Sequence, residues 1–209
     1  MTVMATDSPA SRPSSPNVPT PGPQVPRRGN AFTRGLAVLV MRLTGWRFEG
    51  TLPDRAKFVL IVAPHTSNWD FLVGMMAMFA LGIRGTFLGK HTLFRWPFGI
   101  LMRWLGGVPV NRSSANDVVR QTVEYFERRE QMVLALSPEG TRRKLAAWRT
   151  GFYHVARGAN VPIVPVALDF PRRCIVLFPE FHATGDQAAD LTALGAHFDA
   201  RMAKRPELY

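Results

Sequence analysis

Cysteine is nearly absent. Cys174 stands alone among 209 residues, which excludes an internal disulfide framework and fits a reducing compartment. It lies in an apolar run, CIVLF, and so reads as a buried structural thiol, not a nucleophile. Long hydrophobic runs are missing as well. The longest, Phe71 to Ile83, has thirteen residues, whereas a single membrane span needs about twenty. A buried or interfacial helix is expected there. Residues 1–28 carry Pro, Ser and Thr without a continuous apolar stretch, so no secretory signal is expected. Acidic residues are scarce: 15 Asp and Glu face 26 Lys and Arg, for a formal net charge of +11. Such a balance calls for an anionic partner, whether nucleic acid, an acidic membrane surface or a phosphorylated substrate. Between Arg55 and Arg112 seven Lys or Arg meet one acid, Asp70, and they are spaced among Phe, Trp, Leu and Met. That texture suits a lipid interface better than a duplex groove.

What is present is regular. Residues 1–28 read as a disordered Pro/Ser-rich tail. Residues 29–50 contain an amphipathic helix over Phe32 to Trp46, with Arg34 and Arg42 among its apolar residues. It can dock on the core or lie in a membrane interface. Residues 51–209 form the main domain, of ordinary size for one core. FVLIVA (58–63) is a continuous apolar run of strand length, as expected of a strand covered on both faces. Strands are also expected over 85–89, 107–110, 132–137, 161–168 and 174–179. Helices are expected over 69–83, 94–105, 150–159 and 187–204, with another that starts near Ser114 or Asn116. Strands alternating with helices predict an α/β fold, a mostly parallel mixed sheet flanked by helices.

The polar motifs fall at strand ends. PHTSNWD (64–70) puts His65 five residues before Asp70. Inside one helix the two would be rotated by about 140° and could not meet. Ser67 or Asn68 is a good N-cap, however, so His65 is expected on the loop and Asp70 in the first helical turn. Across that turn a carboxylate can orient an imidazole and stabilise its protonated form. The other reading is two polar residues that merely cap turns. No further His, Cys or Asp cluster stands at ligand spacing, so no metal is expected. SPEGTRR (137–143) follows a strand, with Gly140 for a tight turn, Thr141 as a hydroxyl donor and Arg142 as a fork for phosphate. Glu139 in that basic loop needs a partner. GGVPVNR (106–112) places Arg112 just after a short strand.

In this order, PHTSNWD, GGVPVNR, SPEGTR and VPIVPV (161–166), the chain resembles the lysophospholipid acyltransferase (glycerolipid acyltransferase) family, 1-acylglycerol-3-phosphate O-acyltransferase-like. That family carries an NHxSxxD-like, a GxIFIDR-like, an FPEGTR and a VPIVPV-like block. Lys90, Leu93, Pro97 and Gly99 resemble a further K-x-x-L…P-x-x-G segment of that family, with one residue instead of two between Pro97 and Gly99. The resemblance spans about Thr51 to Leu168. Departures are Pro64 for Asn, Pro109 for Phe, Asn111 for Asp and Ser137 for Phe.

The resemblance implies a single-domain glycerolipid acyltransferase-like fold. It further implies an O-acyltransferase that takes an acyl chain from an acyl thioester, acyl-CoA or acyl-ACP, to the free hydroxyl of a lysophospholipid such as 1-acylglycerol-3-phosphate. His65 would be the base and Asp70 its orienting partner. Arg112, Glu139, Gly140, Thr141, Arg142 and Lys90 would bind substrate. No cofactor is implied beyond the thioester co-substrate. The implied partners are the two lipid substrates, an anionic membrane surface and acyl carrier protein where it is the donor, but no nucleic acid. The implied location is peripheral, on the cytoplasmic face of the membrane. Because the acceptor-side blocks changed most, another lysolipid of the lyso-ornithine type stays open, as does a non-catalytic lipid-binding role.

Overall fold

The structure, a computed structural model, describes residues 15–110, 115–140 and 147–209. In chain order its elements are α1 (Ala31–Thr44), β1 (Arg47–Glu49), β2 (Lys57–Ala63), α2 (Asn68–Leu81), β3 (Gly85–Lys90) and α3 (Phe98–Trp104). There follow β4 (Gly107–Val110), α4 (Ala115–Glu127), β5 (Met132–Leu136), α5 (Gly151–Gly158), β6 (Ile163–Asp169), β7 (Cys174–Leu177) and α6 (Gln187–Gly195). The strands form one sheet in the order β1-β7-β6-β2-β5-β3-β4. Only the β6–β7 pair is antiparallel. The α/β architecture and mostly parallel mixed sheet are as the alternating pattern predicts.

The reason for the apolar run in β2 is visible in its two faces. Phe58 and Leu60 enter one core with Met41, Val73, Ala77 and Leu81 from α1 and α2. Val59, Ile61 and Ala63 enter the other with Phe126, Phe152, Tyr153 and Leu194 from α4, α5 and α6. A strand sandwiched in this way has no polar face to show, so alternation disappears. On α4, Thr122 and Phe126 face the core and are buried.

Four regions differ from expectation. Residues 15–28, read as tail, run across the domain: Pro16 accepts from Phe48 N–H at 2.9 Å, Val25 is buried, and Arg28 N–H donates to Gly82. Proline restricts the unfolded chain, which lowers the entropy that such packing costs. The expected helix 94–105 splits at Pro97, which opens α3 after a 3₁₀ turn at His91–Phe94, because a prolyl ring cannot continue a helix through that point. The expected helix 187–204 stops at Gly195; Phe198 turns into the core and Asp199 caps a separate 3₁₀ turn. β1 is an addition, three residues paired parallel to β7.

Among the described residues, no helix is long and apolar enough to cross a membrane. α1 buries Ala37 and Met41 against the core and leaves Phe32, Leu36, Leu39, Val40 and Leu43 exposed. Trp96, Phe98, Ile100, Leu101 and Trp104, on and just before α3, are exposed as well.

Candidate active site

β2 and β5 are neighbours in parallel register, Ile61 opposite Leu136. The loops that leave their carboxyl ends therefore meet, and these loops carry His65 and Glu139. Adjacent parallel strands deliver distant sequence motifs to one sheet edge in this way.

Ser67 is the N-cap of α2. Its Oγ accepts from Trp69 N–H at 3.2 Å and donates to Asp70 Oδ1 at 2.9 Å. Asp70, in the first turn, returns to accept Ser67 N–H through Oδ2 at 2.7 Å, closing a capping box. The same Oδ2 lies 3.2 Å from His65 Nδ1. The loop-to-helix turn thus brings the two residues together, as their spacing requires. The Asp70 side chain is 1% exposed and that of His65 is 26% exposed. A buried carboxylate with fixed acceptors favours a proton on Nδ1, which leaves Nε2 as the basic nitrogen on the accessible ring.

Glu139 is buried, and its Oε1 accepts the backbone N–H of His65 at 2.9 Å. Burial holds its carboxyl above the usual carboxylate range; His65 pulls it back and the Asp70 charge pushes it up further. Gly140 completes the turn at φ +63°, with its N–H donating to Ser137 C=O at 3.1 Å. A Cβ there would come within 2.8 Å of Arg149 Cδ, so glycine serves both the left-handed backbone and the close approach of Arg149.

Lys90 is exposed at the end of β3, on the same sheet edge. Arg112, Thr141 and Arg142 lie outside the described residues. Two neighbours of the site had no signal in a motif. Thr66 Oγ1 accepts the backbone N–H of Arg205 at 3.2 Å, so the end of the described chain returns to this loop. The Tyr209 phenol is pushed up to about 12 by burial and by the charges of Glu139 and Asp199. Arg149 was within reach of sequence reasoning, through the basic-x-Gly pattern Arg149-Thr150-Gly151 that precedes α5. Among the described residues no cluster of His, Cys, Asp and Glu could hold a metal ion.

Chemically, the site offers an accessible imidazole, a buried carboxylate behind it, and a second buried acid tying its backbone to the neighbouring strand. It can remove a proton from a hydroxyl held at Nε2.

Comparison with known proteins points the same way. The 1-acyl-sn-glycerol-3-phosphate acyltransferase of Escherichia coli (strain K12) is 30% identical over 136 residues, which are 60% of this chain and 54% of that one. The 1-acyl-sn-glycerol-3-phosphate acyltransferase beta of Homo sapiens is 36% identical over 132 residues, 58% of this chain and 46% of that one. The chain spans about half the length of the curated relatives it matches. The crystal structure of the 1-acyl-sn-glycerophosphate (LPA) acyltransferase PlsC from Thermotoga maritima superposes with a TM-score of 0.59 at 17% identity. It covers 79% of this chain and 75% of its own, a likeness of fold. The family model described as Acyltransferase matches residues 47–169, a span that holds β1 to β6 and both halves of the site, and the chain belongs to that family.

Proposed function

We propose that this chain transfers an acyl group from a thioester to the free hydroxyl of a lysophospholipid, with 1-acylglycerol-3-phosphate as the first acceptor to test. The observation that carries the reading is the His65–Asp70 pair at 3.2 Å, with His65 on the accessible side. In the reaction His65 Nε2 takes the acceptor's hydroxyl proton as that oxygen attacks the thioester carbonyl. The tetrahedral adduct collapses, the C–S bond breaks, and the thiolate takes the proton back from the imidazolium. Ester and free thiol result. A base placed in this way contributes roughly 10²–10⁴-fold.

Direct transfer is favoured over an acyl-enzyme. The one thiol, Cys174, is buried, and its pKa is pushed up to about 12 by burial and by Glu49. Of the hydroxyls beside His65, Ser67 Oγ is engaged with Asp70 and the helix end, and Thr66 Oγ1 with the backbone N–H of Arg205. In this reading Glu139, Gly140 and Lys90, with Arg112, Thr141 and Arg142, receive the acceptor's phosphate and glycerol. The working place is a membrane surface on its cytoplasmic side. There the exposed apolar stripe of α1 and the basic excess meet anionic headgroups.

The test is a screen of acyl-CoA and acyl carrier protein donors against a panel of lysolipids, read by mass spectrometry and thiol release. Lysophosphatidate acylation that His65→Ala abolishes is the expected result. The Pro109, Asn111 and Ser137 positions, changed from the family pattern, are the reason to include lyso-ornithine lipid in the panel. Turnover that survives in His65→Ala would sink the mechanism. Absence of turnover with every donor and acceptor would leave lipid binding alone as the function.

A further inference from the structure

A cavity of about 470 Å³ opens at the opposite end of the sheet from His65. It sits where β3, β4 and β5 begin, and it is lined by Arg27, Arg84, Arg103 and Arg129, with the Thr86 hydroxyl among them. Lys57, paired with Met132 at the cavity wall, and Ala63, two residues before His65, are six residues apart along β2, roughly 20 Å at strand rise. A glycerol phosphate that reaches His65 cannot also reach this cavity.

Four arginines line this cavity against a single carboxylate. Glu130 is the one acid on the rim, and among the described residues no ion pair joins any of the four to a carboxylate. Arg27 Nη2 donates to the Pro21 carbonyl at 2.5 Å. Arg103 lies over Phe94 and Arg129 over Tyr125, at 5.7 and 5.2 Å from the ring centroids. These contacts hold guanidinium planes in place and leave their charge uncancelled. Arg28, beside the cavity, is pulled below its ordinary value by burial and by the nearby Arg84 charge, a second sign of crowded positive charge. The chain also builds the crowding through its backbone. Gly106 takes φ +98°, and a Cβ there would come within 2.2 Å of the Gly85 carbonyl oxygen. Glycine at this position lets the start of β4 close on the start of β3, which brings Arg84 and Arg103 to one mouth.

We propose that this cavity is a second binding site for a phosphoryl group, separate from the acceptor site. Guanidinium forks match phosphate oxygens in pairs, and four of them suit a dianion or a diphosphate better than a carboxylate. The group has two possible sources. One is the headgroup of an anionic lipid, since Ile100, Leu101 and Trp104 stand exposed on α3 beside Arg103. The other is a soluble phosphate.

The experiment compares the full chain with Arg84→Gln/Arg103→Gln and, independently, Arg27→Gln/Arg129→Gln. Thermal melting first establishes that each folds. Inorganic pyrophosphate is titrated calorimetrically, and co-sedimentation is measured with phosphatidylcholine vesicles with and without phosphatidylglycerol. Each arginine neutralised is expected to weaken binding about fivefold, with acyl transfer in detergent unchanged. Loss confined to pyrophosphate identifies a soluble phosphate. Loss confined to phosphatidylglycerol vesicles identifies a lipid headgroup. Folded variants that bind both probes as tightly as the wild type would overturn the proposal.

Discussion

Glu139 accepts the backbone N–H of His65 at 2.9 Å across a separation of 74 residues. That bond ties the end of β5 to the end of β2 at the point where the imidazole leaves the sheet. His65 is thereby held from two sides: its ring by Asp70 and its main chain by Glu139. A strand-end loop without these ties would be free to move, and positional error near a reacting atom is costly to rate.

The two ties separate by mutation. His65→Ala removes the base and should lower the rate of acyl transfer by roughly 10²–10⁴-fold, with the melting temperature little changed. Asp70→Asn should lower kcat by a similar factor, because an amide no longer fixes the imidazole tautomer. Unlike His65→Ala, it also weakens the capping box with Ser67, so about 1 kcal/mol of stability should go with it. Chemical denaturation alongside single-turnover kinetics distinguishes the two. Equal stability loss in both variants would contradict the assignment.

Glu139 governs a pH dependence whose sign follows from its environment. Its carboxyl is held above the ordinary range, by burial first, so the folded state binds its proton more tightly than the unfolded state. Stability from this group is therefore fullest below the ordinary carboxylate pKa, and it falls as pH rises through the window up to the raised folded value. Glu139→Gln keeps an acceptor for His65 N–H and abolishes the titration. Relative to wild type, the variant should gain stability as pH rises through that window, in denaturant titrations at a series of pH values. A difference that does not change with pH would refute the account.

Much of this was legible in the sequence, for reasons that are local. The β2 run and the Ser67 cap are short-range features, and both appear where their patterns put them. The His65–Asp70 contact followed from spacing and one turn. What could not be read depends on residues far apart. Residues 15–28 lack periodicity because they run over the domain as irregular chain with a turn at Gly22–Val25, held by single side chains and backbone bonds to distant elements. β1, Arg47–Glu49, is too short and too charged to look like a strand until β7 pairs with it. Tyr209 and Arg205 approach the site only because α6 stops at Gly195 and the chain turns back. The arginine cavity draws its side chains from four separate segments, so no motif announces it.

Ser137 offers a test of packing at the same strand end. Its Oγ is buried and has no hydrogen-bond partner among the described residues. The family pattern has Phe at this position, an apolar group. A buried hydroxyl without a partner costs about 1–3 kcal/mol. Ser137→Ala removes the hydroxyl, and the backbone bond from Gly140 N–H to the residue 137 carbonyl is untouched. Stability should rise by about 1 kcal/mol, a melting shift of about 2–4 °C for a chain of this size. A fall in melting temperature would mean that the hydroxyl has a partner in solution.

The exposed apolar stripe of α1 offers a test of membrane contact. Leu36 and Leu43 are 51% and 77% exposed, on the face opposite Ala37 and Met41. Replacing both by glutamine keeps helix propensity and removes little from the core, so stability should stay within about 0.5 kcal/mol of wild type. A leucine side chain taken fully out of water is worth about 1.5–3 kcal/mol. If α1 lies in the interface, the double variant should therefore partition into anionic vesicles at least about tenfold less well. Its turnover on a lysolipid dispersed in detergent should be unchanged, because neither leucine is near His65 or Glu139 in the sheet. Unaltered vesicle partition would assign the membrane contact to the exposed residues of α3 instead.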